Sequence, residues 1–143
     1  MAMDEHSFTV SIVTPDGVVF EYETATLVVL HTTGGEVGIM ANHVPLVASL
    51  FISEVKVVDE ANGQSERLAV NGGFAEFSNN TLTIVADSSE KSTDIDIERA
   101  ESARERAERA LQEAQSAADE HEISRAQLAL KRAVTRIHAA SVK

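Results

Sequence analysis

The residues that let a chain turn sharply stop at one point in this sequence. All seven glycines, both prolines, all five phenylalanines and the single tyrosine lie before position 88, and the segment after it has none. Glycine and proline punctuate a chain into short strands and turns. A segment without them, rich in Ala, Arg, Glu, Gln and Leu, has little to become except helix. The break falls within SSEKST at 88–93 and predicts two domains, 1–88 and 89–143. Charge shifts at the same place. Residues 1–93 hold 13 acids against 3 Lys/Arg, a net of −10, while 94–143 hold 10 against 9, a net of −1. So acidic a first part is a poor partner for nucleic acid.

The first part reads as strands. Phe8, Val10 and Ile12 alternate with Thr9 and Ser11, the period-2 sign of a half-buried strand. TPDG at 14–17 has Pro and Gly where a turn needs them. Further strands are expected at 18–22, 27–31, 55–58, 68–70, 74–77 and 81–86, with turns at 61–64 and at Asn79-Asn80. Many short strands with frequent turns predict an antiparallel β-sandwich or flattened barrel, and the sandwich is the fold expected here. The stretch GGEVGIMANHVPLVASL at 34–50 is the least regular. Its glycines permit tight backbone paths but make no phosphate loop, because neither GKS/GKT nor the G-x-G-x-x-G spacing is present.

The second part reads as an antiparallel helical hairpin. Ser92, Thr93, Asp94 and Asp96 are candidate N-caps. Ala100, Ala103, Ala107, Ala110, Ala114 and Ala117 form one narrow stripe, Asp119 to Glu122 interrupt it, and a second run carries Ile123, Ala126, Leu130, Ala133 and Ile137. Arg104–Glu108, Glu105–Arg109 and Arg109–Glu113 are spaced as i,i+4 ion pairs. Alanine permits close approach but buries little area, so the hairpin should be marginal alone and suited to moving. Arg99 and Arg106 are seven apart, as are Arg125 and Arg132, with Arg136 one turn beyond. Convergent guanidinium forks match phosphate oxygens. Exposed arginines also serve as ordinary surface ion partners, and spacing alone leaves both readings open.

No other chemistry is legible. There is no cysteine, and His121 in DEHE lacks H-E-x-x-H spacing, so neither a thiolate nor a metal site is expected. His43 has no Ser or Asp placed to complete a relay and is expected to be a hydrogen-bonded loop residue. No catalytic residue is expected. The acidic start MAMDEH lacks a signal-peptide pattern and no apolar run reaches membrane-spanning length, so a cytoplasmic protein is expected.

Five segments together resemble the epsilon subunit of the bacterial F-type ATP synthase: TPDG at 14–17, GEVGIMANHVPLVASL at 35–50, VNGGFAEFSNNTLTIVAD at 70–87, IDIERAESARERAE at 95–108 and RAQLALKRAVTRI at 125–137. The resemblance implies a β-sandwich followed by two helices, and a non-catalytic subunit of the central stalk. It implies a peripheral place on the cytoplasmic face of the bacterial cell membrane. Its implied partners are the gamma subunit, the ring of c subunits and, when the hairpin extends and inhibits hydrolysis, the alpha/beta catalytic head. In some members the folded hairpin binds a regulatory ATP. Carried over by motif, the implied nucleotide residues are Glu90, Ile95, Asp96, Arg99, Ala100, Arg106, Arg132 and Arg136, with Arg125 nearby. Asp96 has two open roles, accepting from an adenine amino group or capping its helix. Rotor contact is expected in the loop at 38–45, through Ile39, Met40 and Val44. One departure is Leu50-Phe51-Ile52-Ser53, where many members have Leu-x-x-Gly. A free-standing nucleotide sensor using the same hairpin is the competing reading.

Overall fold

The computed structural model describes residues 6–141, so all of MAMDEH but His6 lies outside the described residues. The chain divides into two compact units between Lys91 and Ser92.

The first unit is built from β1 Phe8–Thr14, β2 Gly17–Ala25, β3 Leu27–Thr32, β4 Gly35–Ile39, β5 Leu46–Asp59, β6 Gln64–Ser78, β7 Thr81–Ala86 and β8 Ser89–Lys91. The hydrogen-bonded order is β2-β1-β7-β6-β5-β3-β4, with β8 also on β6. The expected sandwich is present, with one difference. β1 and β7 run parallel, while the other pairings are antiparallel.

Two long strands hold the two layers together. β5 and β6 pair from Leu46–Phe77 to Asp59–Gln64. The Phe77 end of this ribbon continues into β7, while the Gln64 end carries β3 and β8 on its two sides. The ribbon changes layer at Gly72 and Gly73, whose φ values are 75° and 118°. At Gly73 an added Cβ would lie 2.0 Å from the Val85 carbonyl oxygen, so only glycine fits. The core between the layers includes Phe8, Ile12, Leu30, Ile39, Leu68, Phe77, Leu82 and Ile84, all fully buried. Each such side chain contributes about 1.5–3 kcal/mol by leaving water.

Three expectations change. The segments at 55–58 and 68–70 are parts of longer strands. Ile52-Ser53-Glu54 and Asn71-Gly72-Gly73 break the alternation without ending β5 or β6. The irregular stretch 34–50 contains all of β4 and the start of β5. Residues 89–91, assigned above to the helical domain, pair with β6 through Ser89–Val70, Glu90–Ala69 and Lys91–Leu68.

A buried carboxylate ties β2 to β5. Asp59 Oδ2 accepts from the Tyr22 hydroxyl at 2.7 Å, the Thr24 hydroxyl at 2.8 Å and the Asn62 amide at 2.7 Å, and Oδ1 accepts from the Asn62 N–H at 3.1 Å. The Asn62 amide, helped by the two hydroxyls, holds the Asp59 carboxyl down to about 2 against the burial that would raise it. Burial, then the bond to Asp59, pushes the Tyr22 hydroxyl up.

The second unit begins with a 3-10 turn, Ser92–Asp94, followed by α1 Ile97–Ser116 and α2 Glu120–Ser141. Asp96 caps α1, its side chain accepting from the Arg99 N–H at 3.2 Å. The acidic interruption is shorter than expected. Ala118 turns the chain at φ 52°, and Asp119 already caps α2 by accepting from the Glu122 N–H at 3.2 Å. The helices pack along their lengths. Ala100, Ala107 and Ala114 are the buried residues of α1, and Ala126, Ala133 and Ala139 those of α2.

The Asp59 knot generates a pH prediction. A carboxyl whose pKa is depressed in the folded state contributes stability above its unfolded pKa of about 4 and loses it as pH falls toward 2. Asp59→Asn should destabilise the protein at pH 7 by about 1.5–3 kcal/mol, the worth of hydrogen bonds to a charged group. In urea melts from pH 7 to pH 2, the gap between wild type and variant should shrink below pH 4. A gap independent of pH would show that the charge is not what the knot uses.

Candidate functional site

Strand parity decides which apolar residues the core cannot take. Residues an odd number apart face opposite sides of a strand. Phe77 is buried, so Phe74 must point outward, and it is 44 % exposed. Ile84 is buried, so Val85 points outward, at 37 %. These outward residues line up, because β1 pairs Val13 with Val85, β6 pairs Phe74 with Val85, and β1 pairs Val13 with Val18 across a bulge. The result is an apolar row, Val18–Val13–Val85–Phe74, across four strands. On β5 the row meets Ser49, flanked on the same face by exposed Phe51 and Val47. The neighbouring row, Glu76, Thr83, Ser11 and Glu21, is polar. An apolar stripe with a polar border is the anatomy of a docking surface. The strand pattern around Phe74 does not by itself say which way the ring faces. The Phe74-x-x-Phe77 spacing was the available signal.

A second apolar feature is the turn between β4 and β5. Of the three residues expected there, Ile39 is fully buried in the core and belongs to β4, which corrects the expectation. Met40 is 62 % exposed and Val44 70 %. His43 is held as a loop histidine. Its ring meets the Phe77 ring edge-on at 5.8 Å between centroids, and its Nδ1 lies 2.7 Å from the Val44 carbonyl oxygen.

The predicted nucleotide residues fall in different settings. Glu90 is on β8, in the first unit. In the second unit, Ile95 is buried, and Ala100 is fully buried in the alanine seam. One Asp96 carboxylate oxygen serves as the helix cap, the second of its two open roles. Arg99, Arg106, Arg125 and Arg132 each directly precede a seam alanine, and all four are exposed. In antiparallel helices, positions just before the seam residues share one flank. Arg106 and Arg132 therefore belong to one flank of the hairpin, as does Arg99. Arg136 lies toward the seam, half-buried. The opposite flank carries half-buried Arg104, Leu111, Leu130 and Ile137. Arg104 pairs with Glu108 at 3.9 Å, and Arg125 with Glu122 at 3.6 Å.

Among the described residues no cluster of His, Cys, Asp or Glu is suited to a metal ion, and no helix is long and apolar enough to cross a membrane.

Comparison with known proteins gives matches over both units. Residues 7–92 match the family described as ATP synthase, Delta/Epsilon chain, beta-sandwich domain, and residues 93–141 its long alpha-helix domain. The ATP synthase epsilon chain of Pediococcus pentosaceus is 51% identical over 137 residues, covering 95% of this chain and 97% of that one. That of Levilactobacillus brevis is 50% identical over 140 residues, covering 98% and 99%. A chain of the Euglena gracilis mitochondrial ATP synthase, in a structure of its OSCP, F1 and c-ring, superposes with a TM-score of 0.75 at 22% identity, covering 92% of this chain and 79% of that one. The last likeness is one of fold.

Proposed function

Because this chain belongs to the ATP synthase delta/epsilon chain family, we propose that it is the non-catalytic epsilon subunit of a rotary F-type ATP synthase, docked on the central stalk at the cytoplasmic face of the membrane. The observation that carries this reading is the outward apolar row Val18–Val13–Val85–Phe74. A sheet face of this kind is poorly suited to water and well suited to a large, permanent partner. The gamma subunit is that partner. The c-ring takes the exposed turn with Met40 and Val44. No group transfer is assigned to any residue of this chain.

The hairpin is the regulatory part. Its seam is alanine, so little apolar area opposes its opening. Opened, it presents Leu128 and Val134, already exposed on α2, together with its arginines to the alpha/beta head. Closed, it brings Arg106 and Arg132 to one flank, where with Arg99 and Arg136 they hold the phosphates of a regulatory ATP. ATP bound only to the closed hairpin favours that state by linkage.

Two measurements test this reading. Phe74→Glu should fold, since the side chain is outside the core, yet bind gamma at least tenfold more weakly, about 1.4 kcal/mol. Equal binding by the folded variant would remove this face from the stalk contact. Calorimetric titration of the intact chain with ATP should give saturable heat, weakened about tenfold or more in R106A and in R132A by loss of a charge-assisted hydrogen bond. Absence of heat at millimolar ATP would end the nucleotide reading and leave the docking reading standing.

A further inference from the structure

We propose that Asn80 is a positioning residue for rotor docking, holding the turn between β4 and β5 so that Met40 and Val44 project toward the c-ring. The inference rests on the reading of this chain as an epsilon subunit.

An apolar tip on a short turn tends to fold back onto the protein surface, because burial removes it from water. Met40 and Val44 stay exposed, so the turn's backbone must be fixed from elsewhere. Within the turn, the His43 N–H donates to the Met40 carbonyl at 3.2 Å. Asn42 sits at φ 63°, a left-handed conformation that costs a non-glycine residue energy and needs support. That support comes from the β6–β7 hairpin, where Asn80 Oδ1 accepts the Asn42 N–H at 2.8 Å. The same side chain donates from Nδ2 to the Ser7 carbonyl at 2.8 Å, and the Asn80 carbonyl accepts from the Thr9 N–H at 3.3 Å. One residue thus joins the β6–β7 hairpin, the start of β1 and the exposed turn.

The residue type supports this role. Asn79 and Asn80 have φ of 51° and 55°, positive at both central positions of a two-residue hairpin. Such a turn is most at ease with glycine second. A side chain kept there at some cost to the turn has another use, and the bond to Asn42 supplies one.

Two substitutions separate the presenting role from plain stability. Asn80→Gly suits the hairpin but removes the acceptor. Asn80→Asp keeps an acceptor for the Asn42 N–H while losing the donor to Ser7 and setting a carboxylate oxygen near that carbonyl. The full-length variants, with M40E as reference, are bound to an assembled gamma–c-ring rotor at about 0.15 M salt, where exposed charges are screened beyond about 8 Å. Hydrogen exchange at the Asn42 amide and thermal melts are read alongside. N80G should dock about three- to tenfold more weakly, the worth of one ordering hydrogen bond, with faster Asn42 exchange. N80D should dock within about twofold of wild type despite a lower Tm. Docking that drops equally in N80D and N80G, in step with Tm, would overturn the inference. So would unchanged docking by N80G while M40E is impaired, and this outcome leaves the epsilon reading intact. Normal docking by both N80G and M40E would instead remove the turn from the rotor contact, and the inference with it.

Discussion

The sandwich depends on a single ribbon, β5 with β6, being long enough to serve both layers. Its pairing cannot slip, because a one-residue shift would turn Val55, Val57, Leu68 and Val70 out of the core and Phe74 into it. Its change of layer cannot move either, because the Val85 carbonyl leaves no room for a side chain at residue 73. With the ribbon fixed, β7 and β1 are added at one end and β3 and β8 at the other. The outward row is the reverse side of the same constraint. Every residue that parity sends into the core sends its neighbour out, and several of those neighbours are apolar.

The two units are held by different physics. The sandwich is filled by Phe, Ile, Leu and Val, and Asp59 closes one side with four hydrogen bonds. The hairpin is zipped by alanines, which contribute close contact and little hydrophobic area. Its ends are set by polar caps, Asp96 and Asp119. Such a unit holds its shape by small terms, each of which a ligand or a partner can outweigh. On the proposed reading, the well-packed sandwich keeps the subunit on the stalk and the weakly zipped hairpin is the part that responds to conditions.

The two-unit division and the strand-then-helix order were legible because glycine, proline and aromatic usage ends so abruptly. The Asp96 cap and the seam residues Ala100, Ala107, Ala114, Ala126 and Ala133 were legible from spacing, whereas Ala110 and Ala117 of the expected stripe are exposed and the Asp119 cap and Ala139 needed the observed turn. The lengths of β5 and β6 were not legible. Phe51, followed by Ile52-Ser53, and Asn71-Gly72-Gly73 look like strand ends when only neighbours in sequence are weighed, and pairing with a partner strand overrides them. Ser89–Lys91 fell to the helical domain because three polar residues carry no strand periodicity, yet they pair with β6. Ile39 was read with Met40 as loop, but its place opposite Val28 in the β3–β4 pair turns it into the core. The arginine heptads were visible from sequence. Their common flank at Arg106 and Arg132 needed the observed seam.

On the proposed reading the sandwich alone is the docking body and the hairpin is dispensable for docking. Calorimetric titration of gamma with a chain ending at Lys91, beside the full-length chain, separates the contributions of the two units. The shortened chain should unfold cooperatively and bind gamma within about threefold of the full-length affinity, a difference under about 0.7 kcal/mol. A cooperatively folded fragment that no longer binds gamma would contradict the claim and place the stalk contact in the helices.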